Sequence, residues 1–385
     1  MNRLQELIQS LCPEGVEYRK LGAICNIEKG KTPIQKATPG KFPLVVTADE
    51  RLWCDNYQFD CNAVCIPLIS SSGHGKKDLR TIHYQSGKFA LGNILCAVIP
   101  HDESYVSAQF LYIYLLAKKD FLIVPLMRGG ANVSLSTDSL RNIKIPVPPL
   151  EVQQEIVRIL DQFTQLTAEL TAELTARKEQ YIYYRNRLLS PTSQSTWMTL
   201  GDIGRVAMCK RIMKAETSPS GDVPFYKIGT FGKEPDAYIS KAKYEEYRSK
   251  YPFPQKGDIL ISAAGTIGRT VIYDGEPAYY QDSNIVWVEN DESIVLNRYL
   301  YYYYQLQPWS VSTGGTIARL YNDNICKARI SVPPLPEQRR IVAILDRFDA
   351  LCNNLTSGLP AEIAARQKQY EYYRDKLLTF HERSR

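Results

Sequence analysis

Arginine close to glycine is the most suggestive chemistry in this chain of 385 residues. "GGANVSL" (residues 129–135) follows Arg128, and "GGTIARL" (residues 314–320) contains Arg319. A third stretch, "SAAGTIGRT" (residues 262–270), follows the strand-like "GDILI" and precedes the strand-like "TVIY". Glycine lets backbone amides approach a phosphate, and the arginine fork matches the edge of guanine. The same residues would serve equally well as ordinary tight hairpin loops. "SSGHGKKD" (residues 71–78) reads as a solvated turn, or else as a loop that touches phosphate.

Catalytic signatures are missing. GxxxxGK[ST], HExxH, GxSxG and the dinucleotide fingerprint do not occur. Two "VPPL" stretches differ from the Asn/Asp-Pro-Pro-aromatic loop of amino-methyltransferases, because they lack the polar first residue that would hold the target amine. Cys54, Cys61 and Cys65, with His74 beyond them, are the tightest group of potential metal ligands. Zinc sites usually show two close ligand pairs, and no CxxC occurs here. The nine cysteines are scattered and odd in number, which favours reduced, buried thiols over a metal site or a disulfide framework. We expect no catalytic residue, cofactor or metal on this chain.

Composition sets wider bounds. A hydrophobic content of 44% with 23% charged residues is that of a folded protein, and the length suits two or three domains. No apolar run approaches the roughly 18 residues of a membrane span. The amphipathic start "MNRLQELIQSLCPEG" lacks a secretory apolar core, so a cytoplasmic protein is expected. Net charge is +6: residues 1–150 carry 17 Lys+Arg against 13 Asp+Glu, and residues 196–330 carry 16 against 15. A nucleic-acid partner is allowed by that balance but not required by it.

What positions the loops is a duplicated scaffold. "VPPLEVQQEIVRILDQF" (residues 147–163) recurs as "VPPLPEQRRIVAILDRF" (residues 332–348). "DES" at residues 102–104 recurs at 291–293, and "AQFLYIYLL" (108–116) as "NRYLYYYYQL" (297–306). "ARKEQYIYYRNRLL" (176–189) recurs as "ARQKQYEYYRDKLL" (365–378). Residues 38–95 and 217–285 scarcely match. Each half is therefore a variable globe followed by a well-matched helical stretch.

Both helical stretches carry a heptad seam. In the first it runs through Ile156, Leu160, Phe163, Thr167, Leu170, Leu174, Arg177, Tyr181, Tyr184 and Leu188. The second uses Ile341, Leu345, Phe348, Cys352, Leu355, Leu359, Ile363, Tyr370, Tyr373 and Leu377. It holds a four-residue insertion, and "TSGLPAE" places Gly358 and Pro360 there, so a kink or break is expected. Two seams separated by a globe pack most economically on each other, antiparallel; the alternative is that each helix packs only on its own globe. The first helix also repeats TAEL, at residues 167–170 and 171–174.

Taken together, these motifs resemble the specificity subunit of type I restriction-modification enzymes, over essentially the whole chain. The tandem TAEL units look like the subgroup in which TAEL copy number sets the target spacer. The resemblance implies an α+β chain of two β-rich target recognition domains separated by two long helices in an antiparallel coiled coil, with pseudo-two-fold symmetry. The domains would be 1–147 and 191–332, and the helical spacers 148–190 and 333–385. Each globe would read one half of a bipartite sequence in double-stranded DNA. The helices would fix the gap and dock two modification subunits, which bind S-adenosylmethionine and methylate adenine. Restriction and motor subunits, using ATP, would join that core. The chain itself would be non-catalytic.

Position and residue type, rather than the family motif, give the candidate DNA contacts. In the first globe they are Lys29, Lys31, Thr32, Lys76, Lys77, Arg128, Asn132 and Ser134. In the second they are Lys210, Arg211, Thr266, Arg269, Thr316 and Arg319. Candidate partner contacts on exposed helix faces are Gln153, Arg158, Gln338 and Arg339. A single-chain endonuclease or methyltransferase with two recognition lobes would need a metal-binding carboxylate cluster, and none shows convincing spacing. A coiled-coil adaptor without DNA binding is the other alternative. The target bases are not legible in the sequence.

Overall fold

The computed structural model describes residues 2–72, 75–311, 318–354 and 356–383. Contacts divide the chain into two compact units, Met1–Thr171 with Ile363–Arg385, and Ala172–Glu362.

The first unit is built on β1 (Glu17–Lys20), β2 (Cys25–Lys29), β3 (Phe42–Val45), β4 (Leu52–Cys54), β5 (Phe59–Asp60), β6 (Ala63–Pro67), β7 (His83–Gln85), β8 (Lys88–Leu91), β9 (Leu95–Pro100) and β10 (Lys144–Val147). One antiparallel sheet has the order β2-β9-β6-β7, and a second has the order β4-β3-β8-β5 with β3 and β8 parallel. "AVCIP" in β6 is buried at every position, as a central strand covered on both faces must be. β1 pairs with β10 and closes the globe where the long helix begins. The apolar helix Ala108–Leu122 packs Phe110, Leu111 and Leu115 into the core, and Ser107 caps it by accepting from Phe110 N.

The second unit repeats this plan with β11 (Thr196–Thr199), β12 (Val206–Ala207), β13 (Val223–Tyr226), β14 (Tyr238–Ile239), β15 (Ile259–Ser262), β16 (Thr270–Ile272), β17 (Tyr279–Tyr280), β18 (Ile285–Val288) and β19 (Arg329–Val332). Its sheets run β12-β18-β15-β16 and β14-β13-β17, with β13 and β17 parallel, and β11 pairs with β19. The order of the sheet β2-β9-β6-β7 survives in β12-β18-β15-β16, while the other sheet keeps three of its four strands, although residues 38–95 and 217–285 scarcely match in sequence. The tyrosine run lies on the helix Asn297–Tyr304, where Tyr302, Tyr303 and Tyr304 are buried. These rings pack into the core of the second unit.

The helix Leu150–Leu188 holds 39 residues, about 58 Å of unbroken rod. Its burial follows the predicted seam as far as Tyr181: Ile156 and Leu160 are buried, Phe163, Thr167, Leu170, Leu174 and Arg177 half-buried, and Tyr181 buried again, but Tyr184, also placed in the seam, is exposed and Leu188 half-buried. In the second unit, Phe348 meets Tyr184 and Tyr181, while Cys352, one turn further on, feels the charges of Arg177 and Lys178. The two helices there run antiparallel. In the first unit Phe163 stacks on Tyr373, and Ile156 and Leu160 share a core with Leu377 and Leu378.

The second helical stretch is broken, as expected, between Leu335–Asn353 and Leu359–Leu377. Asn354 Oδ1 accepts from Thr356 N and Oγ1 at 2.8 Å each, and from Ser357 N at 3.2 Å. Gly358 passes so close to the preceding helix end that a Cβ would lie 2.6 Å from Ala350 O and 2.7 Å from Leu351 O. Leu355, placed in the seam from sequence, lies outside the described residues.

Candidate nucleic-acid interface

In the first unit the sheet brings the candidate residues to one end. Lys29 at the end of β2 and Ile66 near the end of β6 both lie opposite Cys96 of β9. Gly30 N donates to Leu95 O at 2.9 Å and Leu68 N to Ile94 O at 2.8 Å, so the loops leaving β2 and β6 emerge side by side. The second loop then picks up the hairpin at 128–134: Ser70 N donates to Val133 O at 2.9 Å, and Arg128 and Ser134 exchange two backbone bonds of 2.8 Å. Gly75, at φ +75°, lies against that hairpin, where a Cβ would come within 2.9 Å of Gly130 O. Lys29, Lys31, Lys76, Lys77, Asn132 and Ser134 are all exposed at this end.

Local bonds fix the shape of these loops. Gln58 spans the first of them, accepting from Lys31 N at 2.8 Å and donating to Lys29 O at 2.9 Å. Thr32 N donates to Leu91 O at 3.1 Å. Ser70 Oγ donates to Lys76 O at 2.6 Å, which holds the turn carrying both lysines. Arg128 is less free than its place suggests. Its Nη1 folds back onto Pro125 O at 2.7 Å and Met127 O at 3.2 Å.

In the second unit Lys210 and Arg211 follow β12, and Arg211 Nε donates to Asp282 Oδ2 at 2.8 Å. Arg319 Nη2 donates to Ser283 O at 2.7 Å, and Leu320 N to Ala263 O at 2.9 Å. Ala263 N in turn donates to Asn284 O at 2.7 Å. Residues distant in sequence thus meet where β15 ends and β18 begins. Thr266 is exposed on the next loop, but the Arg269 guanidinium is committed to Phe231 O at 2.9 Å. Gln307 Nε2 ties down the same loop through Gly268 O at 3.2 Å. Thr316 lies outside the described residues.

Gln153 and Gln338 require a correction. Read from the sequence as partner contacts on exposed faces, both are fully buried. Gln153 accepts from Ser107 N at 2.9 Å and donates to Tyr105 O at 2.9 Å and Pro148 O at 2.7 Å. Gln338 accepts from Leu296 N at 2.9 Å and donates to Ile294 O and Pro333 O, each at 2.8 Å. Each amide satisfies the proline carbonyl at the helix start and anchors the segment leading into the globe's own helix. Such buried bonds are costly to lose. Arg158 and Arg339 are exposed, and Arg158 forms a two-bonded pair with the buried Glu155 at 2.6 and 2.8 Å.

Among the described residues the cysteines assemble no site. Cys54 and Cys65 are buried and His74 lies outside the described residues. Burial pushes both thiols up in pKa. Among the described residues there is no group of three His, Cys, Asp or Glu placed to hold a metal, and no helix is long and apolar enough to cross a membrane.

The residues missed from sequence are those that hold others: Gln58, Gln307, Asp282 and Ser283. Their partners lie far away in the chain, and no local spacing marks them.

Comparison with known proteins agrees with this architecture. The family described as "Type I restriction modification DNA specificity domain" matches twice, at residues 13–179 and 194–365. A putative type I restriction enzyme specificity subunit of Haemophilus influenzae is 46% identical over 376 residues, 95% of this chain and 96% of that protein. The EcoR124I/EcoR124II specificity subunit of Escherichia coli is 35% identical over 266 residues, 64% of this chain and 65% of that one. The crystal structure of an S subunit from M. genitalium shares the fold, with a TM-score of 0.61 at 16% identity, covering 94% of this chain and 96% of that one. A second solved structure, from a study of type I complex assembly and conformational transition, has a TM-score of 0.55 at 18% identity, covering 94% and 97%.

Proposed function

The chain belongs to the type I restriction-modification DNA specificity family, and from that membership we propose how its two unlike globes and their repeated helices divide the work. It is the DNA-recognition subunit of a type I restriction-modification complex. Each globe reads one half of a bipartite target through the loops at the end of one sheet, β2-β9-β6-β7 in the first and β12-β18-β15-β16 in the second. The helices set the gap between the half-sites. The chain carries no chemistry of its own and works in the cytoplasm.

One observation carries this reading. The order of the sheet that carries the loops, the buried glutamine and the helix start recur in both units, while the loops at the sheet ends differ. A repeated scaffold suits two copies of one partner, and unlike loops suit two unlike half-sites. We take the partners to be two modification subunits carrying S-adenosylmethionine, joined for restriction by ATP-driven motor subunits. The second globe has almost no excess of positive charge, with 16 Lys+Arg against 15 Asp+Glu in residues 196–330. Part of the phosphate contact then falls to the modification subunits, and binding by the isolated chain is weak and salt-sensitive.

The test is exchange of residues 20–145 for those of a relative with a different target, followed by mapping of methylated adenines with the modification subunits present. One half-site changes and the other stays. A target altered in both halves, or in neither, contradicts the reading.

A further inference from the structure

Arg211 and Arg319 lie 108 positions apart, yet adjacent residues of one turn hold them both. Asp282 takes Arg211 Nε at 2.8 Å, and the carbonyl of Ser283 takes Arg319 Nη2 at 2.7 Å. The Asp282 side chain is 16% exposed and that of Arg211 65%, so the carboxylate is set into the surface and the guanidinium stands out from it. Among the described residues the Nη groups of Arg211 donate no hydrogen bond. A carboxylate on Nε fixes the plane of a guanidinium and leaves its two Nη groups as a free fork.

The turn itself is rigidly placed. Ser283 has φ +53°, a left-handed conformation that residues other than glycine adopt only occasionally, and in it the carbonyl meets Arg319. Asn284 O is held by Ala263 N at 2.7 Å, and Ile285 N donates to Gln281 O at 3.1 Å. Arg319 lines an open groove of about 710 Å³ together with Met208, Ser283, Tyr321 and Lys327. Nothing equivalent is written into the first globe, where Ser134 stands in the position of Arg319 in the matched loop. A fixed fork on a rigid element is what selective contact with one base requires, whereas a phosphate contact needs only charge.

We infer that Asp282 is a positioning residue that aims the Arg211 fork at the edge of a guanine, with Ser283 holding Arg319 from the same turn, so that this turn sets a base preference in the half-site read by the second globe. The inference rests on the DNA-reading function proposed above.

The experiment uses this chain assembled with its modification subunits, on DNA in which each base of the mapped target is randomised in turn, with methylation read at every position. Asp282→Asn lowers the preference for guanine at one position of one half-site by about 5- to 100-fold and leaves the other half-site as it was. Asp282→Glu keeps part of the preference. Arg211→Lys, which keeps the charge but not the fork, relaxes the same position. Should Asp282→Asn abolish methylation everywhere, Arg211→Lys at its exposed site decides: relaxation at one guanine supports the inference, and unchanged preference overturns it. Unchanged preference in both variants also overturns it. A wild-type target that is not bipartite sinks the proposed function instead, and this inference with it.

Discussion

Phe163 stacks on Tyr373 with ring centroids 5.4 Å apart and planes at 26°. In the repeated sequence Phe163 corresponds to Phe348, and Tyr373 to Tyr184. Phe348 stacks on Tyr184 at 5.7 Å and 26°. The same aromatic pair is thus made twice, once with the phenylalanine from the first copy and once with it from the second. Each copy of the repeat supplies the phenylalanine to one unit and the tyrosine to the other. The duplication is legible down to single rings.

That pair should be measurably coupled. Phe163→Ala and Tyr373→Ala are each expected to destabilise the first unit, and together by less than their sum. The coupling expected from a stacked pair is about 0.5–1.5 kcal/mol. Denaturant unfolding of the four members of the cycle, in the full chain, measures it. Strict additivity would show that the stack contributes nothing beyond burial.

Gln153→Ala should cost about 3 kcal/mol, because it leaves Ser107 N, Tyr105 O and the buried Pro148 O without their partner. Gln338→Ala should cost a similar amount through Leu296 N, Ile294 O and Pro333 O. The two amides belong to separate cores, so their effects should add. Shifts in the unfolding midpoint of the single and double variants check this. A loss well under 1 kcal/mol would mean that water replaces the amide.

The stability of the first unit should depend on His83. Burial foremost, and then the charge of Arg51, hold its imidazole below the ordinary pKa of 6.5. Its neutral ring sits 3.2 Å from Arg51 Nη1 and 3.3 Å from Thr81 Oγ1. The unfolded chain binds the proton first, so this contribution is complete above about pH 6.5 and is lost as pH falls toward the depressed value. Unfolding followed from pH 8 to pH 5 should show this decline, and His83→Gln should flatten it. An equal decline in the variant would place the effect elsewhere.

The helices were readable because burial along a rod has a short period. Thr167 and Arg177 look like interruptions of the seam, yet both are half-buried in their turn. Of the strands, Ile259–Ser262 and Thr270–Ile272 were readable from "GDILI" and "TVIY", but the sheets as wholes were not, because strands such as Phe59–Asp60 and Tyr279–Tyr280 are two residues long and gain their meaning from distant partners. Gln153 and Gln338 were misplaced because a polar residue in the first turns of an amphipathic helix normally faces water. Their recurrence at one distance from a double proline was the available clue. Among the described loop residues, sequence picked out Arg128 and Gly130 in the first unit and Arg211 and Arg319 in the second, each pair near one sheet end. It could not foresee that Arg128 and Arg269 each commit Nη1 to backbone carbonyls, since those partners are fixed by the fold.

The spacing claim is tested most directly by lengthening the helix at its own repeat. One further TAEL after Leu174 adds about 6 Å and about 40° beyond a full turn. A base pair of B-DNA adds about 3.4 Å along the axis and about a tenth of a turn. Methylated adenines should be mapped with the modification subunits present, for the wild type and for the insertion. The account predicts unchanged half-sites set one base pair further apart. An insertion variant that methylates the original target at the original spacing would contradict it.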